Sequence, residues 1–361
     1  MKIVFCGGGT SGHVTPALAL IEELRKTKGD HSIVFIGRTD GPENKAIIKE
    51  KVELRTIEIK GLRHKLSLEN FGIIIKALKA KQDAKKLLLD LQPDIVIGTG
   101  GYVCWPVLRA ARSLKIKTVI HESNAFPGMV TRMLAKKCDL VLLGMKIAEK
   151  HIKSKNTKYV GNPVSSSFFD ANKSILRRQL GIKENDIFIV SFGGSLGAEI
   201  LNKIMVQIIK TNNSKNIVFL HATGIREYER YKKERPAFER SKIVPFIDNM
   251  KDVLPAADIA ITRSGAMTVS ELAAAGTPAI LIPSPNVSAN HQLKNALAFE
   301  EAGAAVIIEE KDLTKERVLS EITALISDKR KLSKMAFNAR KMANKKCKTE
   351  IIRIIEKAVD N

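Results

Sequence analysis

Cysteine is scarce and scattered in this 361-residue chain: Cys6, Cys104, Cys138 and Cys347 form no CxxC pair and have no histidine at metal-ligand spacing. That excludes a disulfide framework or a zinc module and predicts reduced thiols in a cytosolic protein. Aromatic residues make up only 5% of the chain, too few for a surface that stacks single-stranded bases, so no nucleic-acid partner is expected. No apolar run approaches the roughly 18 residues that a spanning helix needs. Only Ile3 to Cys6 separate Met1-Lys2 from the first glycines, which predicts that there is no signal peptide. Asp-x-Asp is absent, so no Mg²⁺ is expected to be required. Acidic residues are in deficit: 38 Asp and Glu against 60 Lys and Arg leave a formal net charge of +22. An excess of that size points to nucleic acid, an anionic membrane surface or an acidic substrate, or else to a lysine bias spread over every solvated face.

What the chain does have is glycine, clustered after short apolar runs. Ile3-Val4-Phe5-Cys6 leads into Gly7-Gly8-Gly9-Thr10-Ser11-Gly12-His13, and Ile189-Val190-Ser191-Phe192 leads into Gly193-Gly194-Ser195-Leu196-Gly197-Ala198. Glycines at a strand-to-helix turn leave backbone N–H groups uncovered where the helix dipole favours an anion. Two such loops imply two phosphate-handling halves facing a shared cleft. Apolar runs alternate with helical patterns throughout, which predicts parallel sheets with helices on both faces. The pattern breaks near Tyr159–Val164, giving a first domain over 1–163 and a second over 164–339, with a basic C-terminal helix at about 340–361 packing back on the first.

Gly7, Gly9 and Gly12 satisfy G-x-G-x-x-G, so an NADP-binding fold is a rival reading, with Arg38 where a ribose acid would be expected. His13 argues for other chemistry. At a helix start the dipole disfavours a protonated imidazole and leaves a neutral base suited to an alcohol. The turn Gly98-Thr99-Gly100-Gly101-Tyr102 and the stretch His121-Glu122-Ser123-Asn124 should reach the same sheet edge, making Gly100, Gly101, Tyr102 and Glu122 candidates for the acceptor side. In the second half, Ser264 is expected to cap a helix that runs to Gly276, with Glu271 near its start. A carboxylate there can accept from both hydroxyls of a ribose. Gly193, Gly194 and Arg263 are then candidates for phosphate or uracil contacts.

These segments, together with Gly161-Asn162-Pro163-Val164, Phe246-Ile247-Asp248-Asn249-Met250 and His291-Gln292-Leu293-Lys294-Asn295-Ala296, resemble the MurG family of bacterial glycosyltransferases along nearly the whole chain. The resemblance implies a GT-B fold of two Rossmann-like, doubly wound domains. It also implies inverting, metal-independent transfer of N-acetylglucosamine from UDP-N-acetylglucosamine to lipid I, with no cofactor. By matching positions, His13 is the implied general base, and Thr10, Ser11 and Gly12 line the meeting point of donor and acceptor. Asn124 is implied at the donor sugar, Ser195 at the diphosphate and Ile247 at the uracil. Ala266, Met267, Thr268, Val269, Ser270 and Glu271 wrap the nucleotide, and Gln292 reads the sugar hydroxyls. The chain departs from the family pattern at Ser165, where Arg is usual, and at Leu196, Ser11 and Ser123. A GT-B enzyme using another UDP-sugar and a different lipid acceptor is the second rival.

A lipid-linked acceptor implies a peripheral enzyme on the cytoplasmic face of the inner membrane. The candidate surface runs from Lys60 to Lys81, with Leu68, Phe71, Ile75 and Leu78 at helical steps, Ile73 and Ile74 beside them, and Lys60, Arg63, Lys65, Lys76, Lys79 and Lys81 around them. The same stripe would also suit a helix packed on the sheet.

Overall fold

The computed structural model describes residues 1–27, 29–41, 44–59, 69–194, 197–234 and 236–360, the side chains of Ser11 and of 69–74 excepted. Two units divide the chain: Met1–Pro163 with Lys346–Asn361, and Val164–Lys345.

In the first unit seven strands form one parallel sheet: β1 (Lys2–Cys6), β2 (Ser32–Arg38), β3 (Glu53–Ile57), β4 (Ile95–Gly98), β5 (Lys117–Glu122), β6 (Leu140–Leu143) and β7 (Thr157–Tyr159). Their spatial order is β3-β2-β1-β4-β5-β6-β7. The central strands carry unbroken apolar runs, Ile3–Cys6 in β1 and Ile95–Ile97 in β4, because both faces are covered. Val4, Cys6, Val96 and Ile120 face one way, toward Ala80, Ala84 and Leu88 of helix Glu69–Leu91 and Val107 and Ala111 of helix Cys104–Ser113. Ile3, Phe5, Ile95 and Ile97 face the other way, toward Val14, Ala17, Leu20 and Ile21 of helix Ser11–Leu24. The helix Cys347–Asp360 completes that second layer with Cys347, Ile351, Ile352 and Ile355. Each buried isoleucine of that helix contributes about 1.5–3 kcal/mol. Lys348, itself buried, sets its Nζ 3.1 Å from Glu23 Oε2.

The return to the first unit starts later than the expected residue 340. Arg340 still belongs to helix Lys329–Met342 of the second unit, where its Nη2 donates to the Ala275 carbonyl at 3.2 Å.

The second unit holds a six-stranded parallel sheet: β8 (Ile187–Phe192), β9 (Ile217–Ala222), β10 (Lys242–Val244), β11 (Ile259–Thr262), β12 (Ala279–Leu281) and β13 (Ala305–Ile307). Its order is β10-β9-β8-β11-β12-β13. Counted from the first strand of each unit, both sheets run 3-2-1-4-5-6, with a seventh strand added at the end of the first. In each, the connections leave in opposite directions from the first and fourth strands. The opening at that reversal is where ligands bind in doubly wound sheets. In the first unit it lies between β1 and β4, in the second between β8 and β11.

Of the basic, apolar stripe expected over Lys60–Lys81, Lys60, Arg63, Lys65 and Leu68 lie outside the described residues, as do the side chains of Phe71, Ile73 and Ile74. In the described part, the core-facing residues of the helix are Ala80, Ala84 and Leu88, whereas Ile75 is 55% and Leu78 52% exposed.

Candidate active site

In the first unit, Cys6 at the end of β1 pairs in register with Gly98 at the end of β4, so the loops that follow emerge side by side. They are locked together. Gly8 N donates to Gly100 O at 3.3 Å, Thr99 N donates to Cys6 O at 2.9 Å, and the buried Thr99 hydroxyl donates to His13 O at 2.6 Å. The Cys104 thiol lies 3.3 Å from Gly100 N and 3.2 Å from Gly100 O, holding the same turn from below. Glycine is required by contact here. A Cβ on Gly100 would stand 2.6 Å from His13 Cδ2, and one on Gly101 would stand 2.0 Å from Gly8 O, at φ +115° and +84°. The imidazole of His13 therefore rests on a turn that only glycine can form.

His13 Nδ1 lies 3.0 Å from the Gly8 carbonyl and 3.1 Å from Thr10 Oγ1. A carbonyl only accepts, so Nδ1 carries a proton, and in the neutral ring Nε2 carries the lone pair. Thr10 precedes the helix as its N-cap residue but gives no side-chain cap, because its hydroxyl faces His13 instead. Ser11 and Gly12 follow in the first turn. The ring of Tyr102 covers Gly9, where a Cβ would meet its Cε1 at 2.9 Å.

Glu122 has a different part from the acceptor contact expected of it. Its carboxylate accepts from Asn124 N at 3.0 Å, Asn124 Nδ2 at 2.9 Å and Gly128 N at 2.9 Å. It is a buried anchor that fixes the loop bearing Asn124. Behind it, His121 Nε2 donates to Gly161 O at 3.1 Å, and burial lowers the imidazole's pKa, which favours the neutral form. Asn162 Nδ2 donates to Ser123 O at 2.9 Å, tying the Gly161-Asn162 turn to the same loop.

In the second unit the loop after β8 turns tightly, with Gly197 N donating to Gly194 O at 3.0 Å. A Cβ on Gly193 would sit 2.5 Å from Ala198 N, and one on Gly197 would sit 2.1 Å from Thr223 O. Ser195, the expected diphosphate residue, lies outside the described residues, as does Leu196. Beside this loop, the helix Ala266–Ala275 follows β11. Its N-cap is Gly265, with no side-chain cap. Ser264 was expected in that role, but its buried hydroxyl donates to Gln292 O at 2.9 Å. The first-turn N–H groups of Ala266, Met267 and Thr268 are consequently left to a ligand or water. Ala266, Met267 and Val269 are buried, and Ser270 donates back to Ala266 O at 2.8 Å, so this stretch offers its backbone more than its side chains.

Glu271 is half-buried on this helix with no hydrogen bond or ion pair to any described residue, and desolvation pushes its carboxyl up to about 7. Gln292 accepts at Oε1 from Ser284 N at 2.9 Å, which fixes its amide orientation and leaves Nε2 as a donor. Ile247 is buried in the loop after β10, so only its main chain is suited to a polar ligand. Arg263 does not serve as expected. Its Nη1 donates to Ile282 O and Pro283 O, both at 3.2 Å, and Nη2 pairs with Glu310, so the guanidinium is spent inside the unit. Ser165 accepts at Oγ from Ser167 N at 3.4 Å, capping the turn Ser166–Phe168 where the family pattern has Arg.

Ser284 carries no sequence signal, and Thr99, Cys104 and Asn162 stand out only as a turn residue, a thiol and part of a motif, with no role of their own. Their contribution is to hold other site residues, a role that only contacts across distant loops reveal.

A model of the glycosyltransferase family 28 N-terminal domain matches residues 3–143, and one of the family 28 C-terminal domain matches residues 188–351. The chain is 40% identical, over all of its length and 99% of the relative's, to the UDP-N-acetylglucosamine--N-acetylmuramyl-(pentapeptide) pyrophosphoryl-undecaprenol N-acetylglucosamine transferase of Acetivibrio thermocellus. It is 41% identical to the enzyme of the same name from Carboxydothermus hydrogenoformans, over 99% of this chain and 97% of that one. The crystal structure of Acinetobacter baumannii MurG is similar over 99% of both chains, with a TM-score of 0.77 at 27% identity. A UDP co-structure of S. aureus MnaA, at 16% identity and a TM-score of 0.69 over 99% of this chain and 97% of that one, shares the fold.

Proposed function

The chain belongs to glycosyltransferase family 28, and on that ground we propose that it transfers N-acetylglucosamine from UDP-N-acetylglucosamine to the 4-hydroxyl of the muramoyl sugar of lipid I, forming lipid II for the bacterial cell wall. The observation that carries the chemistry is His13, held by Gly8 and Thr10 in the tautomer whose Nε2 has the lone pair. In the reaction, Nε2 takes the proton of the acceptor hydroxyl as that oxygen attacks C1 of the sugar. The C1–O bond to the diphosphate breaks on the opposite face, and UDP departs with the electron pair, so the new bond is inverted relative to the old.

The second unit serves the nucleotide. The turn Gly193–Ala198 and the N–H groups at the start of helix Ala266–Ala275 receive the diphosphate charge, Glu271 takes the ribose hydroxyls, and the main chain at Ile247 meets the uracil. Gln292 reads the sugar through Nε2, and in the first unit Glu122 braces Asn124, whose amide is suited to sugar hydroxyls. Charge stabilisation of this kind is worth most when the donors are fixed in advance, as the glycine turns are.

The lipid-linked acceptor brings the enzyme to the cytoplasmic face of the inner membrane. Among the described residues no helix is long and apolar enough to span a bilayer, so the association is peripheral. The exposed Ile75 and Leu78, with exposed Lys76 and Lys79 beside them, support the Lys60–Lys81 stripe as one contact. The decisive experiment follows labelled N-acetylglucosamine from UDP to a lipid I analogue; no transfer across a range of detergents and salt would overturn the proposal.

A further inference from the structure

We propose that the exposed face of helix Lys329–Met342, where Phe337 stands among Arg330, Lys334 and Lys341, is a docking surface for an anionic lipid bilayer. For its occupant this rests on the lipid-linked acceptor of the proposed reaction; for its chemistry it rests on the helix. The opposite face is committed, with Met335 and Ala339 buried and Arg340 bound to the Ala275 carbonyl. Arg330, Lys334, Phe337 and Lys341 recur at steps of four, three and four residues, which sets them on one face, and all four are exposed.

Three features separate this face from an ordinary solvated one. First, no acid occurs from Lys329 through Thr349, and Lys329, Arg330, Lys331, Lys334 and Lys341 make no ion pair with any described residue. Second, Lys329, Arg330 and Lys331 fill the first turn, where the helix dipole opposes cations. Only Asp328, accepting from Lys331 N at 2.9 Å, favours a start there. These charges cost helix stability and so call for a partner that repays it. Third, Phe337 is 58% exposed with Lys341 Nζ 4.4 Å from its ring centre. An aromatic ring framed by long cationic side chains fits a headgroup layer, where phosphate charge lies directly over hydrocarbon. A polyanion in water supplies the charge without the hydrocarbon.

The test uses the full chain, without either substrate, and vesicles of phosphatidylcholine with or without phosphatidylglycerol. Each basic residue near an anionic surface is worth about fivefold in partition. The variant Arg330→Glu/Lys334→Glu/Phe337→Ser should thus bind the anionic vesicles at least about 25-fold more weakly and transfer to a soluble acceptor analogue at the wild-type rate. A direct reading comes from Phe337→Cys carrying a polarity-sensitive thiol label, since all four natural cysteines are buried. Its emission should brighten and shift to the blue on the anionic vesicles. The proposal is overturned by a variant that partitions like wild type, by a label that stays in water while the protein binds, or by a variant that loses RNA binding and keeps vesicle binding. Because partition is read without substrates, a failure here leaves the transfer assay unaffected, and a failure of transfer leaves the partition result standing.

Discussion

His13 lies in the first turn of the helix that follows β1 and Glu271 in the second turn of the helix that follows β11, and their expected failures differ. His13→Ala removes a group that acts only as the proton moves. Turnover should fall about 10²- to 10⁴-fold, while calorimetry finds UDP-N-acetylglucosamine bound nearly as before. Loss of donor affinity alone would make His13 a binding residue. Glu271 titrates inside the working range, since desolvation raises its carboxyl to about 7. Ribose hydroxyls donate to the ionised form, so donor binding should tighten from pH 6 to pH 8 and release protons below neutrality. Glu271→Gln should bind more weakly and show no such slope. Stability moves the other way. As pH rises from the ordinary carboxyl range of about 4.3 toward 7, the unfolded chain gives up this proton before the native one does, and wild type loses stability. Thermal melts of the Gln variant should match wild type at pH 4 and exceed it at pH 8.

At the scale of elements, the turn after β4 governs the base. Gly101→Ala asks for a Cβ at 2.0 Å from the Gly8 carbonyl, in a left-handed conformation. Strained backbone alone costs about 1–3 kcal/mol, and here the turn must also leave its partner loop. Gly181→Ala carries a similar φ of +72° with open space around it. Thermal melts should show the Gly101 variant the less stable, and it should also lose turnover that Gly181→Ala retains. Equal melting points with full activity would mean that the turn yields easily.

The same scale shows what could be read in the residues beforehand. Central strands such as β1, β4 and β8 were legible because burial on both faces gives each an apolar run of three or more residues. β3, β7 and β13 were not, since all three lie at sheet edges and two of them, Glu-Leu-Arg-Thr-Ile and Thr-Lys-Tyr, mix charge into the strand. Ser264 looked like a cap because its neighbours look like a helix start; its true partner, Gln292 O, is 28 positions away. Arg263 and Glu122 were legible as polar groups at strand ends, but whether such a group faces a ligand or a neighbouring loop depends on contacts that no local pattern encodes.

At the scale of the molecule, the last helix belongs to the first unit. Ending the chain after Lys345 would remove Cys347, Ile351, Ile352 and Ile355 from the layer that covers β1 and leave Glu23 without Lys348. Losing several buried isoleucines at about 1.5–3 kcal/mol each exceeds much of the 5–15 kcal/mol that a domain has to spare. The truncated chain should therefore unfold its first unit while helix Lys329–Met342 and the second unit keep their structure, a pattern that hydrogen exchange resolves segment by segment. Uniform protection across both units would refute it.

That return of the chain also has a consequence in time. A ribosome completes every strand of the first sheet early, but it must then make all of Val164–Lys345 before the covering helix emerges. At about 5–20 residues per second, the part of that layer which Cys347, Ile351, Ile352 and Ile355 complete waits on the order of 10 s for its lid. The second unit, contiguous in the chain, can close during that interval. The half that is begun first is finished last, and in the meantime its open face is the part of the nascent enzyme that a chaperone would meet.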